Sequence, residues 1–157
     1  MLLPSIYLST IIAILVAPCA DGRPALLRPG SPIDYAELAF EPERWKEKGI
    51  STQMIPWEGE RLVFLTTTSD LDTGVLTRFV DRMDAGWKLY TDLTGRSPSP
   101  FKQVKGKPSI AAVPDGELTC GYGCGFIGCT GVEIAGFYAN DYQLVGKSPK
   151  AFPHYVF

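Results

Sequence analysis

Residues 72–94 carry apolar side chains at regular three- and four-residue steps, and this spacing predicts one long amphipathic helix. Asp70 or Asp72 can cap the first turn, where a carboxylate also favours the positive end of the helix dipole. Gly95 stands where a left-handed C-cap is needed. The apolar positions predicted to pack into a core are Val75, Leu76, Phe79, Val80, Met83, Trp87, Tyr90 and Leu93.

Short apolar segments on both sides of this helix predict the strands of a small sheet. Residues 61–67 are rich in strand formers and apolar on both faces at their centre, which is typical of an inner strand. Residues 50–55 alternate weakly, and residues 56–59 are expected to form a turn. Further strands are predicted at residues 107–113 and 131–139. Together these segments predict an α+β fold in which a small mixed sheet packs against the long helix.

Proline and glycine positions organise the rest of the chain. Residues 23–34 contain three prolines and predict an irregular leader. Residues 41–48 predict a short helix with Pro42 in its first turn and Gly49 after its end. Near the end of the chain, Ser148 and a following proline predict that another helix begins at residue 149.

The first 22 residues are predicted to be a signal peptide or a retained anchor. Residues 2–17 are nearly continuously apolar, which fits a signal-peptide core and is short for a membrane helix. Small residues precede Arg23, so cleavage before it is expected, and cleavage after Cys19 is a second option. We therefore divide the chain into residues 1–22, a leader with a short helix at 23–60, and a folded region at 61–157. The expected location is secreted or in the cell envelope, with membrane contact if the N-terminal segment is retained.

Charge and glycine patterns exclude two classes of partner or ligand. The net charge is −2 and the pI is about 5.4, with the densest group of cations at Lys102, Lys105 and Lys107. No aromatic residues interleave with these lysines, so we expect a solvated loop and no nucleic-acid partner. The glycines of residues 121–128 are not followed by the Lys-Ser/Thr pair of a phosphate-binding loop.

Three cysteines, Cys120, Cys124 and Cys129, form a cluster within a glycine-rich segment. In a secreted protein two of them can pair as a disulfide, and Cys120 with Cys129 closes the longer and less strained loop. A second possibility is a metal site in which His154 joins the three thiolates. The third possibility is a set of unpaired structural thiols. A catalytic cysteine is less favoured, because His154 is the one histidine available as a base.

Carboxylate side chains are a further set of candidate catalytic residues. A stand-alone hydrolase would use Asp115 and Glu117, or Glu133, as acid and base. We expect these residues instead to be ordinary turn and strand-surface side chains, since carboxylates are common at turns.

The order of elements from Arg61 onward resembles the N-terminal subdomain of zincin-type metallopeptidases, the gluzincin-like group in particular. The resemblance is carried by the strand at residues 62–67, the helix ending at 87–95, the strand at 108–115, and a glycine-rich stretch before an edge strand near 131–138. In that family the next element is a helix bearing HExxH. Its two histidines hold zinc, and its glutamate activates the bound water.

The chain departs from that family at the metal ligands. His154 is its one histidine, no glutamate follows it, and no HExxH occurs, so no zinc ligand is carried over. We expect His154 to be an ordinary helix-start or surface residue. The resemblance therefore implies a zincin-like half that is truncated or degenerate, inactive by itself, and dependent on a missing downstream helix for zinc. The alternative is a small secreted structural or binding α+β domain with a cysteine-stapled, glycine-rich loop. Neither hypothesis identifies a substrate or a partner.

Overall fold

A mixed β-sheet forms the centre of the computed structural model, which describes residues 25–96, 103–114, 123–125, 131–148 and 150. For residues 123–125 and Gly131 it describes the backbone. In spatial order the sheet contains β1 (Ile33–Asp34), β2 (Gln53–Glu58), β3 (Val63–Thr66), β4 (Ser109–Val113), β6 (Gly131–Ala135) and β5 (Gly123–Gly125). The predicted α+β fold with a mixed sheet is confirmed.

The helices cover the two faces of this sheet. They are α1 (Pro42–Glu47), α2 (Thr73–Thr94) and α3 (Tyr142–Lys147), the last preceded by a π-helical turn at Phe137–Asp141. Strands β3, β4 and β6 run parallel to one another, whereas β2 and β5 run antiparallel to their neighbours. A right-handed helical connection is the usual way to join parallel strands, and α2 makes the connection from β3 to β4.

Alternate residues of the inner strands enter two separate cores. Phe64 and Ile110 point to the face covered by α2 and α3, while Val63, Leu65 and Ala111 point to the opposite face. On the α2 face, the rings of Phe64, Phe79 and Phe137 meet with centroids 4.8–5.0 Å apart. On the opposite face the core consists of Tyr35, Ala39, Trp45, Met54, Val63, Leu65, Val104, Ala111 and Val113.

The predicted long helix is confirmed, including both of its ends. The Asp72 carboxylate accepts hydrogen bonds from the backbone N–H groups of Gly74 and Val75, at 2.8 and 3.0 Å. Gly95 ends α2 in the left-handed conformation, with φ of 63°. The start and end of α2 are therefore set by local capping as well as by packing.

The second half of α2 does not pack as the sequence predicted. Gly86 is the last buried residue of the helix and Trp87 is partly buried, but Tyr90 is 47% exposed and Leu93 is 72% exposed. The reason is length, because a helix of 22 residues spans about 33 Å, whereas strands of four to six residues span about 13–20 Å. The last turns of α2 extend past the sheet.

Two predicted boundaries were wrong. Pro56 and Trp57 belong to β2, not to a turn, and the Pro56 carbonyl accepts from Gly30 N–H at 2.8 Å. Since the N and O of one strand residue face the same side, the missing N–H of Pro56 points toward the leader and away from β3. At the other boundary β6 ends at Ala135, because Gly136 has φ of 76° and begins the π-helical turn. Strands β1 and β5 and helix α3 were not predicted.

One buried carboxylate fixes the connection between β2 and β3. Asp84, on α2 and 8% exposed, accepts three backbone hydrogen bonds, from the N–H groups of Glu60, Arg61 and Leu62 at 2.6, 2.9 and 3.1 Å. Gly59 packs directly against this carboxylate, and an added Cβ would also lie 2.8 Å from Val80 Cγ1. The turn therefore depends on a charged acceptor at residue 84 and on the absence of a side chain at residue 59.

We predict that Asp84→Asn lowers the free energy of unfolding by about 2–4 kcal/mol, because charge-assisted hydrogen bonds weaken and an amide N–H₂ meets backbone donors. Urea denaturation followed by circular dichroism measures this loss. Asp92→Asn is the matched control on the same helix, since the Asp92–Lys88 ion pair is solvent-exposed and contributes little. Equal effects from the two substitutions would contradict the role given to Asp84.

Candidate functional site

The sheet brings one buried carboxylate next to the strand that carries a candidate cysteine. In the strand ladder Leu65 lies opposite Ala111, Ala111 opposite Glu133, and Glu133 opposite Cys124 of β5. Residues 126–130 connect β5 to β6. The hairpin formed by β5 and β6 is therefore the place where a predicted cysteine and a predicted carboxylate become neighbours in register.

Glu133 holds the leader against the sheet. It has no solvent exposure, and its Oε1 accepts from the Tyr35 hydroxyl and from the Phe40 backbone N–H, both at 3.1 Å. Tyr35 is itself 2% exposed, and its ring lies 5.7 Å from that of Trp45 on α1. The carboxylate thus joins β6 to residues 35–40, which are otherwise about a hundred positions away in the chain.

The expectation that Glu133 is a strand-surface residue was wrong. Strand β6 is an inner strand, with β4 on one side and β5 on the other, and the leader covers the face to which Glu133 points. The signal was present in the sequence, since Glu133 interrupts the apolar run from Val132 to Ala135. A carboxylate without solvent access cannot reach a substrate, so Glu133 does not fit the role of a hydrolytic base.

The other predicted site residues are not brought together in the described structure. Cys120, Cys129 and His154, together with Asp115 and Glu117, lie outside the described residues. The disulfide, the thiolate–histidine metal set and the free-thiol alternative therefore stay predictions. Within the described ranges, no three His, Cys, Asp or Glu side chains lie close enough to hold a metal ion.

Strand β5 occupies the end of the sheet. In the part of the chain that the structure describes, β6 pairs with one side of β5 and no strand pairs with the other. Its three residues are Gly123, Cys124 and Gly125, so two of the three positions have no side chain. The arrangement presents backbone N–H and C=O groups at an edge, which is the usual template for adding a strand.

Hydroxyl groups gather at the carboxyl ends of the parallel strands. The Tyr138 hydroxyl accepts from the Thr67 backbone N–H at 2.7 Å and lies 3.0 Å from Thr67 Oγ1. Tyr142 accepts from the Asp72 N–H at 2.6 Å. Burial raises the pKa of Tyr138, so the phenol stays neutral at ordinary pH. These contacts fix the π-helical turn and α3 onto the start of α2.

A cavity with several charged residues in its lining lies between the leader, the β2–β3 turn and α2. Its volume is about 390 Å³, and its lining includes Leu27, Glu58, Gly59, Glu60, Arg61, Asp81, Asp84, Ala85 and Lys88. Hydrogen bonds from Lys105 and then Lys107 hold the pKa of Glu58 below its usual range. Burial, and then the charge of Asp84, raises the pKa of Asp81. Two of the three lysines expected in a solvated loop thus pair with Glu58, at 3.0 and 3.1 Å.

The chain was compared with protein-family models, with curated proteins and with solved structures. No family model, curated protein or solved structure matches the chain. None of the helices in the described ranges has the length and apolar character needed to cross a membrane. The class that the structure defines is a small α+β domain with a mixed sheet.

We predict an energetic coupling between Tyr35 and Glu133. Tyr35→Phe removes a hydrogen bond to a buried carboxylate and is expected to cost about 1.5–3 kcal/mol of unfolding free energy. In a Glu133→Gln background the same change is expected to cost about 1 kcal/mol less, because the substitution disturbs the acceptor of the Tyr35 hydroxyl. Urea denaturation of the four proteins gives the coupling energy. Simple additivity of the two substitutions would contradict the Tyr35–Glu133 hydrogen bond.

We predict a pH-dependent gain in stability for Asp81→Asn. The folded-state pKa of Asp81 is raised above its ordinary value of 3.8, so folding favours the protonated acid and this stability is lost as pH rises through the raised pKa. Removing the charge should raise the melting temperature at pH 7 and have a smaller effect at pH 3. Asp70→Asn, at an exposed position outside the cavity, is the control. A gain that is independent of pH would count against this cause.

Proposed function

We propose that this chain is a secreted or envelope-associated, non-catalytic domain of zincin-like architecture that binds an extended peptide along β5. The observation that carries the proposal is the position of β5, which lies at the end of the mixed sheet and runs antiparallel to its neighbour β6. An added strand gains main-chain hydrogen bonds from such an edge.

The order of elements supports the architectural part of the proposal. Strand β3, long helix α2 and strand β4 follow one another in the order that the resemblance implies. The edge strand expected near residues 131–138 is instead the inner strand β6, and β5 lies at the end of the sheet. The resemblance itself depends on this order and not on a sequence motif. Without an HExxH sequence, and with one histidine in 157 residues, we propose no peptidase activity for this chain by itself.

The composition of β5 supports the binding part. Gly123 and Gly125 place no side chain between an approaching peptide and the strand backbone. Each backbone hydrogen bond contributes about 0.5–1.5 kcal/mol net, so three residues give weak affinity without further contacts. We therefore expect dissociation constants in the micromolar range or weaker, and specificity from residues beside the strand.

A second function is favoured by the cysteine in β5. Cys124 lies in the hairpin whose flanking sequence holds Cys120 and Cys129, so a disulfide here would staple a structural or binding loop. Intact mass with and without reductant separates the two states of the thiols. A gain of about two mass units per bridge on reduction supports the stapled domain, whereas an unchanged mass supports free thiols.

The test of peptide binding uses a fluorescein-labelled pool of extended hexapeptides and measures anisotropy on titration with the full chain. Two matched pools carry N-methyl groups at alternate residues, one on each edge of the peptide strand. Strand addition predicts that one methylation pattern abolishes binding and that the other preserves it, because one edge of the peptide faces β5. Equal binding by both methylated pools would contradict strand addition.

A further inference from the structure

Two arginines lie one helical turn apart on α2. Residues at i and i+4 of a helix are neighbours on its surface, so Arg78 and Arg82 share a flank of α2 with Val75. Val75 lies against α3, because an added Cβ on Gly146 would be 3.6 Å from Val75 Cγ2. The two arginines therefore leave α2 on the flank nearest to α3, and residues 142–147 of α3 include no acidic side chain.

Both guanidinium groups are partly withdrawn from water and have no charged partner. Each side chain is partly exposed, yet Arg78 Nε and Arg82 Nη1 are buried and have no hydrogen-bond partner in the described structure. The arginine ion pairs of the described ranges lie on α1 and on the β2–β3 turn, and neither includes Arg78 or Arg82. A buried donor without an acceptor is costly, above all on a charged group, so an anion that accepts from both guanidinium groups would stabilise the fold.

The acidic side chains closest to this pair along the chain have other surroundings. Burial, and then the charge of Asp84, raises the pKa of Asp81, whereas an adjacent guanidinium would lower it. Asp84 accepts three backbone hydrogen bonds from the β2–β3 turn. Asp72 Oδ1 accepts from the backbone N–H groups of Gly74 and Val75. These three carboxylates therefore serve other contacts and do not neutralise the arginine pair.

We propose that Arg78 and Arg82 together bind an oxyanion, which is the chemistry that phosphate and carboxylate groups share. A guanidinium presents a planar fork of N–H donors that matches two oxygens of such a group. Two forks one turn apart can hold one ligand with several acceptor oxygens between them. Gly74 and Gly86 stand one turn before and one turn after the pair, so no side chain at these positions covers it.

Nuclear magnetic resonance reads the proposed contact at the atoms that make it. The full chain, labelled with nitrogen-15, is titrated with sodium phosphate and separately with sodium acetate. Sodium chloride at matched ionic strength controls for screening. Binding predicts saturable shifts of the Arg78 and Arg82 Nε–H resonances with at least one oxyanion and not with chloride. A response to phosphate alone assigns a phosphate ligand, and a response to acetate alone assigns a carboxylate.

Substitutions test whether both arginines hold the ligand. Arg78→Gln and Arg82→Gln are each expected to weaken binding at least about tenfold, because each removes charge-assisted hydrogen bonds. Arg82→Lys keeps the charge but loses the planar fork, so it should also weaken binding. Arg61→Gln is the matched control, since Arg61 pairs with Glu60 on the β2–β3 turn, and it should leave the affinity unchanged.

Thermal melting checks folding and gives a second measure of binding. The bound oxyanion is expected to raise the melting temperature of the natural chain and to have no such effect on the two glutamine variants. The lysine variant provides the same test if a glutamine variant does not fold. The proposal would be overturned by the absence of saturable shifts with either oxyanion, or by binding that survives both glutamine substitutions. Binding that the lysine variant keeps in full, or that Arg61→Gln weakens equally, would also overturn it, because the effect would then come from charge in general.

Discussion

The structure depends on one constraint, which is that its inner parallel strands β3 and β4 are buried on both faces. Every residue of β3 and β4 is buried, so each face of the sheet needs a cover. Helices α2 and α3 cover one face, while α1 and residues 35–40 cover the other. The second cover is short and irregular, and such a segment brings few backbone hydrogen bonds of its own. The buried carboxyl group of Glu133 supplies the acceptor that residues 35–40 need, at the cost of removing a polar group from water.

Two buried carboxylates thus perform the same physical task at different ends of the fold. Asp84 satisfies three backbone donors of the β2–β3 turn, and Glu133 satisfies a backbone donor and a phenol of the leader. In each case an acidic side chain on a helix or strand accepts hydrogen bonds from an irregular segment, whose backbone groups are not paired within a helix or sheet. This arrangement explains why these two acidic side chains are buried, since each accepts hydrogen bonds from a segment whose backbone donors would otherwise be unpaired.

The regular elements with a strong local signal could be predicted from the sequence. Helix α2 has both a repeating apolar pattern and two caps, and β3 has an apolar run without competing turn residues, so local preference and tertiary packing agree. The burial of Glu133 has a local signal in the apolar run that it interrupts, but its partners could not be predicted, because residues 35–40 come from a distant part of the chain. The exposure of Tyr90 and Leu93 was missed for a related reason, since an apolar stripe indicates which face of a helix packs but not where the sheet beneath it ends. Pro56 was assigned to a turn because proline is common in turns. It fits within β2 because its missing N–H points away from β3 and removes no hydrogen bond between these two strands.

The proposed peptide surface differs from the exposed end of α2 in the groups that it offers. Within the described residues β5 pairs on one side, and its two glycines carry no side chains, so the strand offers backbone dipoles. The apolar side chains exposed past Gly86 belong to a helix whose backbone groups are already paired. Binding at β5, as we propose it, would therefore depend on the direction and spacing of hydrogen bonds, whereas the end of α2 offers apolar area alone.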